Sequence, residues 1–247
     1  MVKLNMINSK KIIEMKIDHK FVNAEFIERP NRFLTKVKIK DRIFMSHLPD
    51  PGRLKELLTP GAKLLLKKED GINRKTKFST QAVYLKKTLI SLNTLTPNKF
   101  VSFLLKNKLL PFLENWEFDK QEVTYGKNRF DFQLKKNEKK MILEIKSATL
   151  VENQIAKFPD AITERGKRHV EHLSQMLDDN LLTMVLFVVQ RSDAISFKPQ
   201  WERDPKFCNA LLKASQNGVL IKVIKMEMTK NSLIYRGEIP HKLTMDK

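Results

Sequence analysis

Residues 129–147 read Arg-Phe-Asp-Phe-Gln-Leu-Lys-Lys-Asn-Glu-Lys-Lys-Met-Ile-Leu-Glu-Ile-Lys-Ser, and their alternation decides the character of the C-terminal half. Side chains alternate across a strand, so Phe130, Phe132 and Leu134 share one face while Arg129, Asp131 and Gln133 share the other. In the second run Met141, Leu143 and Ile145 face one core, and Ile142, Glu144 and Lys146 face the opposite side. The polar segment Lys135–Lys140 between the runs reads as a hairpin loop. Symmetry about Asn137 and Glu138 sets Asp131 directly opposite Glu144, where Cβ atoms stand roughly 4.5–5.5 Å apart.

Two carboxylates at that spacing repel each other. A strand pair keeps them when a cation lies between; Lys146 is one candidate and a divalent metal a better one. Mg²⁺ or Mn²⁺ on Asp131 and Glu144 would polarise a phosphodiester and activate water. Lys146, on the face of Glu144, would orient that water or stabilise charge on the phosphate. Glu-x-Lys alone is common, and the bland alternative is a solvent-facing strand with scattered charges. Asp131, thirteen residues before Glu144 and in matched register, raises the metal reading above it.

Downstream, Phe158 to His169 reads Phe-Pro-Asp-Ala-Ile-Thr-Glu-Arg-Gly-Lys-Arg-His. Pro159-Asp160 is a helix-start signal, with Asp160 near the cap of a helix predicted over 161–177. Val170, Leu173 and Leu177 have core spacing. Thr163, Arg165, Lys167, Arg168 and His169 fall within two turns of a helix N-terminus, a dock for phosphate. A solvated basic face explains Lys167 and Arg168 equally well. Gly166 inside a helix costs about 1 kcal/mol against Ala, which points to close approach by another backbone or by substrate. His169 and His172 lack the partners of a zinc motif.

Further out, 98–109 reads as a helix, 122–125 as a strand, 183–189 as a buried strand, 206–214 as a short helix and 219–228 as a final strand. That succession is an α/β or α+β domain with a central mixed sheet. The N-terminal half carries strand patterns over 21–27, 33–39, 43–48, 62–66 and 80–85. Arg29-Pro30-Asn31 and Asp50-Pro51-Gly52 are turn signals, and 53–58 a short helical piece. Several short strands in under 100 residues suggest an OB-type barrel. A boundary near Leu92–Pro97 gives domains 1–95 and 96–247.

The 247 residues hold 47 Lys and Arg against 28 Asp and Glu, a net +19. Self-repulsion of that size is usually kept for a polyanionic partner, though a Lys-rich proteome would inflate it as well. Residues 1–95 have 21 basic against 9 acidic side chains, net +12, and residues 96–247 have 26 against 19, net +7. The barrel is therefore the expected nucleic-acid platform, with Phe33, Phe44 and Phe78 as candidate stackers, although a core position suits each of them better. The one cysteine, Cys208, excludes a disulfide framework. Seven scattered glycines form no phosphate-cradling loop. The N-terminal segment has no signal-peptide core, and the apolar run 181–189 is too short to span a bilayer. The expectation is a soluble, cytoplasmic protein without a membrane partner.

Four motifs in order are similar to the sugar fermentation stimulation protein family: residues 47–54 (His-Leu-Pro-Asp-Pro-Gly-Arg-Leu), 143–150 (Leu-Glu-Ile-Lys-Ser-Ala-Thr-Leu), 158–169, and 186–193 (Leu-Phe-Val-Val-Gln-Arg-Ser-Asp). The resemblance runs from about Phe21 to the end, and the first 17 or so residues look like an extension. It implies an α+β chain: an OB-type barrel followed by an α/β domain of the PD-(D/E)xK nuclease superfamily. It implies DNA binding and a role in regulating sugar-utilisation genes, notably for maltose. Asp131, Glu144 and Lys146 take the catalytic positions, with Asp131 and Glu144 as metal ligands. His47 and Arg53, with Thr163, Arg165, Lys167 and His169, are the nucleic-acid-binding candidates. Phe130 stands where the superfamily name has proline. Residues 97–113 contain no Asp or Glu, where many superfamily members place a carboxylate. The sequence therefore supports a DNA-binding, Mg²⁺- or Mn²⁺-dependent endonuclease-like protein, in a form that admits a homodimer. Against it stand a non-cleaving DNA-binding regulator and an OB-type RNA binder; the latter fits the charge but not the paired carboxylates.

Overall fold

Strands of the N-terminal half set an apolar or small residue inward and a lysine or other polar residue outward, and the chain closes them into a barrel. The computed structural model describes residues 6–7, 10–71 and 74–245. The chain divides into two compact units: Met1–Thr96 with Gln190–Asp193 and Met226–Arg236, and Pro97–Val189 with Ala194–Lys225 and Gly237–Lys247.

In the first unit β1 (Met6–Ile7) pairs with β2 (Lys10–Lys11), and β3 (Glu14–Lys16) follows. The barrel strands are β4 (Phe21–Asn31), β5 (Leu34–Ile39), β6 (Arg42–His47), β7 (Lys63–Lys68) and β8 (Phe78–Leu85). They pair in the order β8, β6, β5, β4, β7, and β7 pairs back to β8, so the barrel is closed. Only the β6–β8 contact is parallel among these. β9 (Thr88–Ser91) forms a hairpin with β8. Phe26, Val37, Leu64, Leu66, Val83 and Ile90 fill the interior. At one point the filling is polar: the Thr80 hydroxyl lies 2.8 Å from that of Thr35 and 2.9 Å from that of Ser46, all three buried.

Two local expectations need correction. Arg29-Pro30-Asn31 is not a turn but the end of β4; the turn falls on Arg32 and Phe33. Residues 53–58 are not helical. The Arg29 guanidinium donates to the carbonyls of Arg32, Asp50, Gly52 and Arg53 at 2.6–3.0 Å. Those bonds fix an irregular path, and Leu54, at φ +51°, enters it with left-handed backbone that a helix cannot use. Leu54, Leu57 and Leu58 plug the barrel instead.

In the second unit α1 (Leu95–Lys106, its first two residues still in the first unit) precedes β10 (Glu117–Tyr125), β11 (Asn128–Lys136) and β12 (Lys139–Ala148), an antiparallel meander. Then come β13 (Leu150–Glu152), β14 (Ile155–Phe158), α2 (Glu164–Gln175), β15 (Leu181–Val189), β16 (Ser196–Pro199), α3 (Pro205–Gln216) and β17 (Leu220–Met228, its last three residues in the first unit), while β18 (Ser232–Glu238) belongs to the first unit as far as Arg236. β12, β15 and β17 run parallel, so the sheet is mixed. β15 is buried from Thr183 to Val189, which is why it reads as an unbroken apolar run. β13, β14 and β16 make a separate small sheet. Val170 and Leu173 of α2 pack with Val185, Phe187, Phe197 and Phe207.

The start of α2 also departs from expectation. Its N-cap is Thr163, not Asp160: the Thr163 hydroxyl accepts the Gly166 N–H at 3.1 Å. Asp204, the N-cap of α3, takes the Thr163 N–H at 2.8 Å through its other oxygen and locks the two helix starts together. A Cβ on Gly166 would lie 2.8 Å from the Thr163 hydroxyl oxygen and 2.9 Å from its methyl carbon. The close approach that requires glycine comes from this cap.

Candidate active site

The turn of the β11–β12 hairpin is Asn137-Glu138, with Asn137 in the left-handed region at φ +53° that asparagine tolerates. It sets the register Phe132↔Leu143 through Lys136↔Lys139. That is the symmetry read from the sequence, but the strands continue through most of the segment expected to be loop. Direct pairing of Asp131 with Glu144 does not follow: the ladder stops at Phe132. Beyond it the Asp131 carboxylate acts as the acceptor, taking the Ile145 backbone N–H on Oδ2 at 2.6 Å. Phe130 is also off the expected face. It packs edge-on against His169 of α2, ring centres 5.4 Å apart, in one cluster with Ile142, the cross-strand partner of Gln133. Phe132 instead meets Phe118 of β10. A strand that leaves its partner is released from strict alternation, and β11 turns over at Asp131.

A buried ionic network surrounds this point. Asn98 of α1 donates its amide to Asp131 Oδ1 at 2.6 Å. Glu144, 5% exposed, accepts on Oε1 from the Lys146 ammonium at 2.6 Å, and His169 Nδ1 lies 2.7 Å from the same oxygen. The Arg165 Nε–H faces His169 Nε2 at 3.4 Å, which leaves Nδ1 to donate to Glu144. Burial, and then the charge of Glu144, push the Asp131 carboxyl up to about 6, against the Ile145 N–H, Lys146 and Asn98. Burial pushes Glu144 up too, but the His169 hydrogen bond and Lys146 outweigh it and hold that carboxyl below its ordinary range. The two acids therefore differ: Glu144 stays ionised, and Asp131 is an anion short of positive charge.

Asp131, Glu144, Lys146 and His169 meet in this network, with Arg165 joined through His169. Thr163 is engaged as a cap, and Lys167 lies 3.5 Å from Glu171 on its own helix. His169 is buried beside Glu144 rather than presented on the surface. His47 and Arg53 belong to the barrel unit, His47 at the end of β6 and Arg53 in the loop bound by Arg29. Phe44 and Phe78 pack on each other with ring centres 5.3 Å apart and against the barrel core, while Phe33 is 45% exposed. Asn98 escaped the sequence reading, which looked along α1 for a carboxylate; an amide carries no charge signal. Among the described residues no group of three His, Cys, Asp or Glu is placed to hold a metal, and no helix is long and apolar enough to cross a membrane.

A profile of the Sugar fermentation stimulation protein RE domain matches residues 95–232, and one of the SfsA N-terminal OB domain matches residues 27–92. A sugar fermentation stimulation protein homolog of Methanosphaera stadtmanae is 44% identical over 87% of this chain and 92% of its own. One from Natranaerobius thermophilus is 38% identical over 89% of this chain and 93% of its own. The solved structure of Pyrococcus furiosus SfsA in complex with Ca²⁺ superposes with a TM-score of 0.85 at 28% identity, covering 92% of this chain and 98% of that one.

Proposed function

The chain belongs to the sugar fermentation stimulation protein family, and from that premise we propose that it is a DNA-binding protein whose α/β unit hydrolyses phosphodiester bonds with one divalent cation. The carrying observation is the unequal pair: a half-buried Asp131 pushed up to about 6 beside an ionised Glu144. The donor set fits a small hard cation. Mg²⁺ is commonly held by one or two carboxylates, with water and phosphate oxygens completing its shell. Two carboxylates with, among the described residues, no third acidic or histidine ligand suit that arrangement, and a relative of the same fold holds Ca²⁺. When bound, such an ion polarises the phosphate and lowers the pKa of a water.

The chain's own residues set up the rest. Asp131 is fixed by Asn98 and the Ile145 N–H, so its carboxylate cannot swing away. His169, turned by Arg165, fixes Glu144 in the same manner. Lys146 neutralises Glu144; were a cation to take over that role, its ammonium would be free to face the phosphate or the attacking water. The basic surface, strongest in residues 1–95, gathers the polyanion.

The test is incubation of labelled DNA with Mg²⁺ or Mn²⁺. Wild-type protein is expected to cut, and Asp131→Asn to bind without cutting. A second reading, a non-cleaving DNA-binding regulator of sugar-utilisation genes, is favoured by Asn98 standing where a carboxylate would add a second metal. Salt-sensitive binding with no cleavage under any divalent ion would select it.

A further inference from the structure

Phe33 sits where local structure gives no reason for it. The turn between β4 and β5 favours small or polar residues, yet a phenyl ring stands there 45% exposed. The backbone of Phe33 is held in place: the Asn31 carboxamide accepts the Phe33 N–H at 2.9 Å, and the Phe33 carbonyl accepts the Leu48 N–H at 2.8 Å. The Arg32 guanidinium lies 4.9 Å from the ring centre. Phe33 opens into a cavity of about 480 Å³ that Leu34, His47, Arg74 and Lys75 also line, with Arg74 3.6 Å from Glu69. From it an outward stripe runs along β6: His47, then Met45 at 38% and Ile43 at 59% exposure. Their partners across the ladder are Leu34, Lys36 and Lys38. Lys36 reaches Glu28.

Exposed apolar side chains flanked by lysines, leading to an exposed aromatic ring beside a guanidinium, have the chemistry of a single strand: flat bases for the apolar surface, phosphates for the cations. Other anionic partners would meet the lysines as well; the exposed ring with the Arg32 guanidinium beside it is what favours a strand with a base to stack. We infer that the barrel seats an unstacked nucleobase on Phe33, with the strand continuing along β6 past Met45 and Ile43. This deepens the proposed function and rests on its nucleic-acid partner. It assigns to the barrel unpaired strand rather than duplex.

The test is fluorescence anisotropy of the full chain with a labelled oligothymidine, the same backbone made abasic, and a duplex. Phe33→Ala is expected to weaken oligothymidine binding roughly ten-fold. Phe33→Leu should lose as much, since it keeps bulk without a π face, and Phe33→Trp should restore it. Neither the abasic strand nor the duplex should respond to these changes. Equal losses on duplex and single strand, full binding by Phe33→Leu, or no effect of Phe33→Ala would overturn this inference and leave the nuclease reading standing. Absence of salt-sensitive binding to any of the three probes by the wild-type chain would overturn both.

Discussion

Each unit buries a polar cluster on its strands, and the two clusters are built on opposite principles. In the barrel, Thr35, Ser46 and Thr80 satisfy one another with neutral hydroxyls at 2.8 and 2.9 Å. In the α/β unit, Asp131, Glu144, Lys146 and His169 bury charge, and the fit is incomplete because Asp131 is left pushed up to about 6. A neutral cluster needs nothing from outside and serves the fold. An ionic cluster with an unbalanced carboxylate is a less stable arrangement of the same chain, and it is what a site prepared for a cation looks like.

The largest effect should come from cutting the ionic cluster at its centre. Glu144→Ala leaves the Lys146 ammonium and the His169 ring without their shared acceptor. It should cost about 3 kcal/mol in urea unfolding. A loss below about 1 kcal/mol would mean that Lys146 simply turns to water, and the contrast with the barrel would weaken.

Asp131→Asn should move stability the other way. The fold binds the Asp131 proton more tightly than the unfolded chain does, since the group rises from its ordinary 3.8 to about 6. Stability therefore falls as pH rises from 3.8 to about 6, and the deficit persists above that. Removing the charge should stabilise the protein by roughly 1–2 kcal/mol near neutral pH, after allowance for solvent at a half-buried group. The gain should vanish in acid below the ordinary carboxylate range. Urea titrations across that window check both sign and window. A destabilised Asp131→Asn at neutral pH would show that the carboxylate is already balanced.

The smallest effect belongs to the barrel. Thr80→Val removes the hydroxyl that both Thr35 and Ser46 contact and should cost about 1 kcal/mol, with divalent-ion affinity unchanged. Altered ion affinity in this variant would couple the two clusters, which their chemistry gives no reason to expect.

What was legible in the sequence follows the same division. β15 announced itself because a central parallel strand buried on both faces is apolar throughout. The barrel strands showed because one face is wet and alternation survives. β13, β14 and β16, of three or four residues, are too short to establish a period. No local pattern over 53–58 reveals that Arg29, on β4, holds the carbonyls of Asp50, Gly52 and Arg53 and keeps the stretch from coiling into a helix. At the site, the hairpin spacing brought Asp131, Glu144 and Lys146 into one neighbourhood. The break in alternation at Asp131, the Asn98 amide and the His169–Glu144 contact are products of packing between elements, which spacing along one chain segment does not encode.

The most direct measurement is calorimetric titration of Ca²⁺ or Mn²⁺ into the wild-type chain and Asp131→Asn, well above and well below pH 6. The carboxylate pair predicts one ion per chain in the wild type, with affinity falling sharply as Asp131 takes up its proton through about pH 6, and no comparable binding in the variant. Binding that is indifferent to pH and survives Asp131→Asn, or no binding at any pH, would contradict it.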